Sequence, residues 1–301
     1  WTISVAAGLA CGGFCVQFGC DWPSFFYASF AAILGFRLKM WCAHRGLNGY
    51  VGIAISAFVA TILAWLMSFI SLDPTISAVV PKFMHSETPY HPLMACMLFI
   101  VPGVPLINFV SDMISDYVQV GLTRAITTLM MVLAMSFGIV LAIEVCHIDN
   151  FAKCLDITPH NSYIDYAIAA AISAMGFSTI YNTPKRILPV LAVTGIIAVC
   201  TRNFVNLGPS NDNIGLDQGI IMGSFIGSVL VSLIATKSAH WHHIPHQVIA
   251  IPSVIPMIPG VLMYRSLFAF IEMTGVVGEL TVAFNYAIKA SRVILFIALG
   301  V

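Results

Sequence analysis

Two apolar stretches of this sequence carry proline and glycine where an unbroken helix would otherwise form. Residues 101–104 read Val-Pro-Gly-Val, and residues 258–261 read Ile-Pro-Gly-Val. Proline removes a backbone donor and glycine weakens a helix, so both stretches are predicted to break and to free backbone groups. Freed helix ends can bind ions or polar solutes, whereas the alternative is a simple packing kink. The candidate binding residues are Pro102, Gly103, Pro259 and Gly260.

Polar residues follow each break. Asn108, Asp112 and Asp116 are spaced four residues apart, which predicts one slowly drifting helical face. An acidic group costs about 2.5–3.5 kcal/mol at the membrane centre, so it usually faces a cavity, where Asp112 or Asp116 could exchange a proton. The alternative places both aspartates, solvated, at the membrane surface. Tyr264 and Arg265 follow the second break. The first half of the chain therefore contributes carboxylates after its break, whereas the second half contributes a guanidinium.

The composition indicates which elements must position these residues. The chain has 301 residues, of which 59% are hydrophobic and 9% charged, against roughly 25% charged in soluble domains. Lipid is therefore the expected solvent, and long apolar runs without alternation predict helices. The fold class expected is an all-α integral membrane protein with about ten transmembrane helices, at residues 2–19, 23–39, 51–71, 92–111, 123–145, 163–181, 185–205, 217–238, 245–265 and 281–301.

The two halves of the chain resemble each other. The Pro-Gly stretches fall in the fourth and ninth segments, and Gly13-Phe14 in the first segment matches Gly176-Phe177 in the sixth. Since five helices is an odd number, the second half must enter the membrane from the opposite side. This predicts two inverted five-helix repeats, residues 1–146 and 163–301, joined by an extracytoplasmic loop at 147–162. Inverted repeats are typical of secondary transporters.

Charge sets the expected orientation. The formal net charge is zero, which gives no basic face for nucleic acid. More Lys and Arg residues fall on one side of the predicted segments than on the other. The positive-inside rule then places both termini in the cytoplasm, in a cell inner membrane. The richer side carries Arg37, Lys39, Arg45, Arg124, Lys185, Arg186 and Lys237, and the poorer side carries Lys82, Lys153, Arg202 and Arg265.

Other polar groups give weaker signals. The histidine run at residues 240–246 is interrupted by proline and lacks carboxylates, so no metal site is predicted there. Cys146 and Cys154 flank one loop and leave a disulfide open, although small packing residues are the favoured interpretation. Lys289 and Arg292 either need partners inside a helix or snorkel to the surface. Catalytic and nucleotide-binding motifs are absent, so neither an enzyme nor a cofactor is expected.

The breaks and their surroundings resemble a known family. Residues 101–108 with Asp112 resemble the first half of the threonine/serine exporter family. Residues 176–186, which include Asn182, are similar to its second half, as are residues 252–260 with Tyr264 and Arg265. The resemblance implies proton-driven efflux of L-threonine and L-serine by halves that are fused in some members and separate in others. It also implies a cytoplasmic region before the first helix, which a chain starting at Trp1 would lack.

The substrate-binding residues expected are Pro102, Gly103, Asn108, Asp112, Asn182, Pro259, Gly260, Tyr264 and Arg265. Asp112 and Asp116 are the expected proton-coupling residues, with protons, a small solute and membrane lipid as partners. Export of succinate-like dicarboxylates, with Arg265 as the anchor, is the alternative, because some relatives are associated with it. A channel and an intramembrane enzyme are the rivals from other classes, and association of several copies is left open.

Overall fold

The computed structural model describes residues 1–72, 81, 84–100, 103–148, 161–208, 214–258, 262 and 277–301, with backbone alone at 277–280. Within these ranges all regular structure is helical. The α-helices are α1 (Thr2–Gln17), α2 (Trp22–His44), α3 (Gly49–Leu72), α4 (Pro92–Ala95), α5 (Gly103–Ile114), α6 (Val118–Val145), α7 (Tyr163–Ile180), α8 (Leu188–Asn206), α9 (Ile220–His242), α10 (Gln247–Val254) and α11 (Val277–Gly300). Short 3-10 helices precede α8 at Lys185–Ile187 and follow α10 at Ile255–Met257.

The chain forms two compact units. The first comprises Trp1–Val101 and Met131–Asn161. In it α1, α2 and α3 pack in sequence, and α4 contacts all three. The second comprises Pro102–Met130 and Ser162–Val301. There α8 packs between α7 and α9, α10 lies against α8 and α9, and α11 contacts α5 and α9.

Side-chain caps fix where two of the long helices begin. Asp21 accepts a hydrogen bond from the Ser24 amide at 3.3 Å, and Pro23 occupies the first turn of α2, where no donor is missed. Ser162 and Asp165 form a reciprocal capping box at the start of α7. The predicted segment starts at 23 and 163, which come from the apolar runs, lie within one residue of these capped helix starts.

Glycines let helices approach closely within each unit. A Cβ on Gly12 of α1 would lie 2.1 Å from Ser29 Oγ and 2.8 Å from the Phe25 carbonyl oxygen of α2. A Cβ on Gly223 of α9 would lie 2.5 Å from the Arg202 carbonyl oxygen of α8. Since lipid provides no hydrophobic drive between helices, small residues that permit backbone contact are a main source of packing energy.

Six described helical segments are long and apolar enough to cross a membrane. They are Gly49–Leu72, Val118–Val145, Tyr163–Ile180, Lys185–Asn206, Ile220–His242 and Thr281–Gly300. Shorter apolar helices cover Thr2–Gln17, Gly103–Ile114 and Gln247–Met257. The other long helix, α2, has 23 residues and contains two cations, Arg37 and Lys39. All-helical architecture is thus confirmed, while ten spans in inverted repeats remain a prediction.

One detail of the sequence interpretation changes. Arg202, assigned above to the poorer side as a loop charge, lies inside α8 and is 8% exposed. The orientation argument therefore loses one cation from the poorer side, which strengthens the asymmetry. Cys146 carries a free thiol, as do the other cysteines in the described ranges, while Cys154, its candidate disulfide partner, lies outside those ranges.

Candidate functional site

The fourth apolar segment is interrupted. Its first helix, α4, has four residues and continues as turns, with the Leu98 amide donating to the Ala95 carbonyl and the Ile100 amide to the Met97 carbonyl. The helix resumes as α5 at Gly103, which is buried. Pro102 lies outside the described residues. The described chain here is therefore a short helix followed by turns as far as Ile100, with α5 covering Gly103–Ile114.

The ninth segment is interrupted as well. Pro252 lies within α10, and Pro256 lies in the following 3-10 turn, which ends where Ile258 adopts an extended backbone at φ −64° and ψ 133°. An extended residue ends the helical hydrogen-bond ladder, so carbonyls of the preceding turn need other donors. Pro259, Gly260, Tyr264 and Arg265 lie outside the described residues.

Within the second unit, the first residue of α5 contacts the interrupted part of the ninth segment. A Cβ placed on Gly103 would lie 2.7 Å from Ile258 Cδ1 and 3.6 Å from two side-chain carbons of Ile255. Both isoleucines are 4% exposed. We call Gly103, Ile255, Pro256 and Ile258 the break junction. Glycine permits this contact because any side chain at position 103 would meet the isoleucine.

A buried cation lies beside the break junction. Arg202 Nη1 donates to the Pro256 carbonyl at 3.3 Å. Its Nε and Nη2 both donate to the Asn203 amide oxygen, at 3.2 and 3.1 Å. These acceptors are neutral, and no carboxylate of the described ranges is within ion-pair distance of Arg202. A guanidinium thus reaches a carbonyl that the interruption of segment nine has freed.

A second polar contact fixes the interrupted segment to α8. Thr194 Oγ1 and Ser253 Oγ are 2.6 Å apart, and both residues are fully buried. Each hydroxyl also lies near a carbonyl of its own helix, at 2.9 Å for Thr194 and Val190 and 2.7 Å for Ser253 and Ile249. Two side chains of α8, Thr194 and Arg202, therefore contact the ninth segment at Ser253, which follows Pro252, and at the carbonyl of Pro256.

The two acidic candidates of the first half, Asp112 and Asp116, lie in different environments. Asn108 and Asp112 both lie in α5, half-buried, and Asp112 pairs with Arg124 of α6 at 2.6 Å. Asp116 is exposed and has a left-handed backbone with φ 69°, because α5 has already ended at Ile114. The helical face predicted for three residues is therefore wrong for Asp116.

The remaining polar candidates are less enclosed. Asn182 is exposed in the turn after α7, with φ 57°. Lys289 and Arg292 are exposed on α11, which spans Val277–Gly300, so both cations lie well inside the helix and not at its start. Among the described residues, no group of three or more His, Cys, Asp or Glu could hold a metal ion.

The first unit contains a satisfied polar network. The Asp21 carboxylate accepts hydrogen bonds from Ser86 Oγ at 2.9 Å, the Glu87 amide at 2.7 Å and Thr88 Oγ1 at 3.2 Å. Ser24 Oγ lies 2.6 Å from Ser86 Oγ. This network joins the start of α2 to the residues before α4. It positions the residues that lead into α4.

A cavity of about 580 Å³ opens in the second unit. Its described lining is mostly apolar and comprises Tyr163, Cys200, Thr201, Phe204 and Ile214. The Tyr163 hydroxyl donates to the Ile214 carbonyl at 2.6 Å. None of these described lining residues carries a charge that could anchor a zwitterion or a dianion.

The sequence interpretation missed Arg202 and Asp21 as organising residues. The signal for Arg202 was its position inside the predicted segment 185–205, which left a cation within an apolar run. The signal for Asp21 was an acid followed by proline at a helix start, which is a cap pattern. Neither signal predicts which distant residue each side chain contacts.

Comparison with known families accounts for nearly the whole chain. Residues 1–146 match a family profile described as "Putative threonine/serine exporter". Residues 166–301 match a second profile described as "Threonine/Serine exporter, ThrE". No solved structure matches the chain.

Curated relatives are similar to part of the chain. A protein of Klebsiella aerogenes named "Probable succinate transporter subunit YjjP" is 30% identical over 152 residues, which cover 50% of this chain and 54% of the relative. The protein of the same name from Escherichia coli K12 is 29% identical over 145 residues, covering 48% and 52%. The chain thus spans about half the length of the curated relatives it matches.

Proposed function

We propose, since this chain belongs to the threonine/serine exporter family, that it is a secondary exporter of L-threonine and L-serine driven by the proton gradient. It is an integral membrane protein whose family consists of transporters, which favours transport over enzymatic catalysis. Its proposed location is the cell inner membrane, with both termini in the cytoplasm. The proposed repeats, residues 1–146 and 163–301 around the loop 147–162, would be related by inverted topology.

The contact between Gly103 and Ile258 is the observation that supports this proposal most directly. Secondary transporters commonly bind substrate near the midplane, where discontinuous helices of two repeats come together. Here one interruption belongs to the first sequence half and the other to the second. The start of α5 at Gly103 offers amide groups and the positive end of a helix dipole to a carboxylate.

An amino acid also needs acceptors for its ammonium group. Asn108 and Asp112 follow Gly103 along α5, and we assign them to this role, with Asp112 or Asp116 exchanging the coupling proton. Proton binding at Asp112 would break its ion pair with Arg124, so protonation would change the contact between α5 and α6. Pro102, Asn182, Pro259, Gly260, Tyr264 and Arg265 complete the proposed substrate site.

Export of a succinate-like dicarboxylate is the second candidate. Both relatives described above are named as subunits of a probable succinate transporter. A dianion would need cationic anchors, for which Arg265 is the proposed residue. The word subunit in these names also favours an assembly of more than one chain, and association of several copies of this one stays a proposal.

Purified protein in liposomes with an imposed pH gradient tests these candidates. Labelled L-threonine, L-serine and succinate are loaded inside, and efflux is followed with and without the gradient. Saturable efflux of the amino acids that responds to the gradient supports the first proposal, and the same behaviour for succinate supports the second. Flux that neither saturates nor responds to the gradient would indicate a channel. Absence of flux for all three solutes would refute both transport candidates.

A further inference from the structure

We propose that Arg202 binds the carboxylate of the transported solute; this assignment rests on the proposed function. The residue is 8% exposed, inside a helix of the membrane-spanning type. Its recorded acceptors are the neutral Asn203 and Pro256 oxygens. An uncompensated buried charge is costly, and ionisable groups inside membrane proteins usually mark substrate or ion pathways.

The chemistry of the guanidinium fits a carboxylate better than its present acceptors. Arginine presents a planar fork of donors that matches a carboxylate with two parallel hydrogen bonds. Such charge-assisted bonds are about twice as strong as neutral ones and typically measure about 2.7–2.9 Å. The 3.3 Å bond to the Pro256 carbonyl is longer than that. A substrate carboxylate would therefore displace this carbonyl from Arg202.

The neighbouring helix α9 contains a buried hydroxyl close in sequence to its contact with Arg202. Gly223 of α9 packs against the backbone of Arg202, and the next residue, Ser224, is fully buried. Its hydroxyl has no hydrogen-bond partner within the described part of the chain. A buried hydroxyl without a partner is unfavourable, and a polar ligand at this level of α8 and α9 would provide one.

Binding at Arg202 would also connect substrate loading to the break junction. The Pro256 carbonyl belongs to the turn that ends at Ile258, which contacts the position of Gly103. When a carboxylate replaces this carbonyl, the turn loses a tether to α8, while the Thr194–Ser253 contact remains. The residues around Pro256 would then be free to move, while Ser253 would stay bound to Thr194 of α8.

A structural role for Arg202 makes a different prediction. Basic side chains often donate to the last carbonyls of a helix, and Arg202 would then only stabilise the turn at Pro256. Its replacement would weaken binding of every ligand alike. A carboxylate-binding role predicts selective loss for ligands that carry the carboxylate.

Competition in proteoliposomes separates the two roles. Full-length wild-type protein and Arg202→Gln, Arg202→Lys and Arg186→Gln variants are reconstituted, and uptake of labelled L-threonine or succinate is measured. Unlabelled competitor is either the same acid or its amide, L-threoninamide or succinamide, in which an uncharged carboxamide replaces each carboxylate. Arg186 is an exposed arginine of the same unit and serves as the matched control.

We expect Arg202→Gln to raise the half-inhibiting concentration of the acid about 10- to 100-fold and to leave that of the amide unchanged. Arg202→Lys should keep part of the preference for the acid, and Arg186→Gln should behave as wild type. Equal weakening of acid and amide, or an unchanged acid, would overturn the assignment. If Arg202→Gln does not fold, Arg202→Lys decides, since an unaltered acid-to-amide ratio there also overturns it. Wild-type protein that transports neither solute would refute the proposed function instead.

Discussion

The carboxylate of Asp112 and the guanidinium of Arg124 are 2.6 Å apart and join the last turn of α5 to the first turns of α6. The Arg124 side chain is 44% exposed and that of Asp112 is 21% exposed. An ion pair this accessible contributes at most about 1 kcal/mol to stability. The proposed role of this pair is in coupling, because proton binding to the aspartate would release the arginine.

Asp112→Asn tests the coupling role. The amide keeps the shape of the group but cannot titrate, so net efflux driven by a pH gradient should fall to background. Exchange of internal for external substrate requires only that the loaded protein reorient, and it should survive. Parallel flux assays on proteoliposomes measure both activities.

Asp116→Asn is the matched control for this test. Asp116 is exposed and lies past the end of α5, so its replacement should change net efflux less than that of Asp112. Full proton-driven efflux in Asp112→Asn would eliminate Asp112 as the proton carrier.

Gly103→Val tests the break junction. A side chain at this position would meet Ile258, and overpacking of this kind costs about 1–3 kcal/mol. Thermal unfolding in detergent should show the loss, and Ile258→Val should recover part of it because valine lacks the Cδ1 atom. Gly49→Val is the control, since nothing lies within 4 Å of a Cβ there. Equal destabilisation by the two glycine substitutions would argue against the contact.

Thr194→Val and Ser253→Ala test the tether between α8 and α10. Their hydroxyls are 2.6 Å apart and buried, and hydrogen bonds between membrane helices average about 0.6 kcal/mol with a maximum near 1.7. A double-mutant cycle on unfolding free energy should give coupling in this range. Thr236→Val, at an exposed threonine of α9, should show no coupling to Ser253→Ala. Additive effects of Thr194→Val and Ser253→Ala would mean that the hydroxyls do not interact.

Single cysteines test the orientation. On a cysteine-free background, His246→Cys should be shielded from an impermeant thiol reagent in intact cells, because the excess of Lys and Arg predicts a cytoplasmic position. Ile214→Cys is the control at the other end of α9, where the side chain is 77% exposed, and it should react readily. Labelling of residue 246 and protection of residue 214 would reverse the topology.

The two interrupted segments illustrate what could be predicted locally. Proline lacks a donor wherever it lies in a helix, so the interruption of the ninth segment around Pro256 follows from the sequence itself. Hydropathy likewise predicts membrane helices because lipid accepts only segments whose backbone is internally bonded. By contrast, Asp116 was misplaced because the end of α5 depends on a turn for which no glycine or proline gave a signal.

The sequence alone therefore determined the solvent, the helical class and the interruption around Pro256, since each depends on residues close together in the chain. The tertiary structure decided that Gly103 contacts Ile258, that Asp112 pairs with Arg124, and that Arg202 is buried beside Pro256. The first and last of these pairs bring together residues far apart in sequence. Arg202 is buried because α8 packs closely against α9, where Gly223 permits backbone contact. No local sequence pattern predicts this contact between two helices.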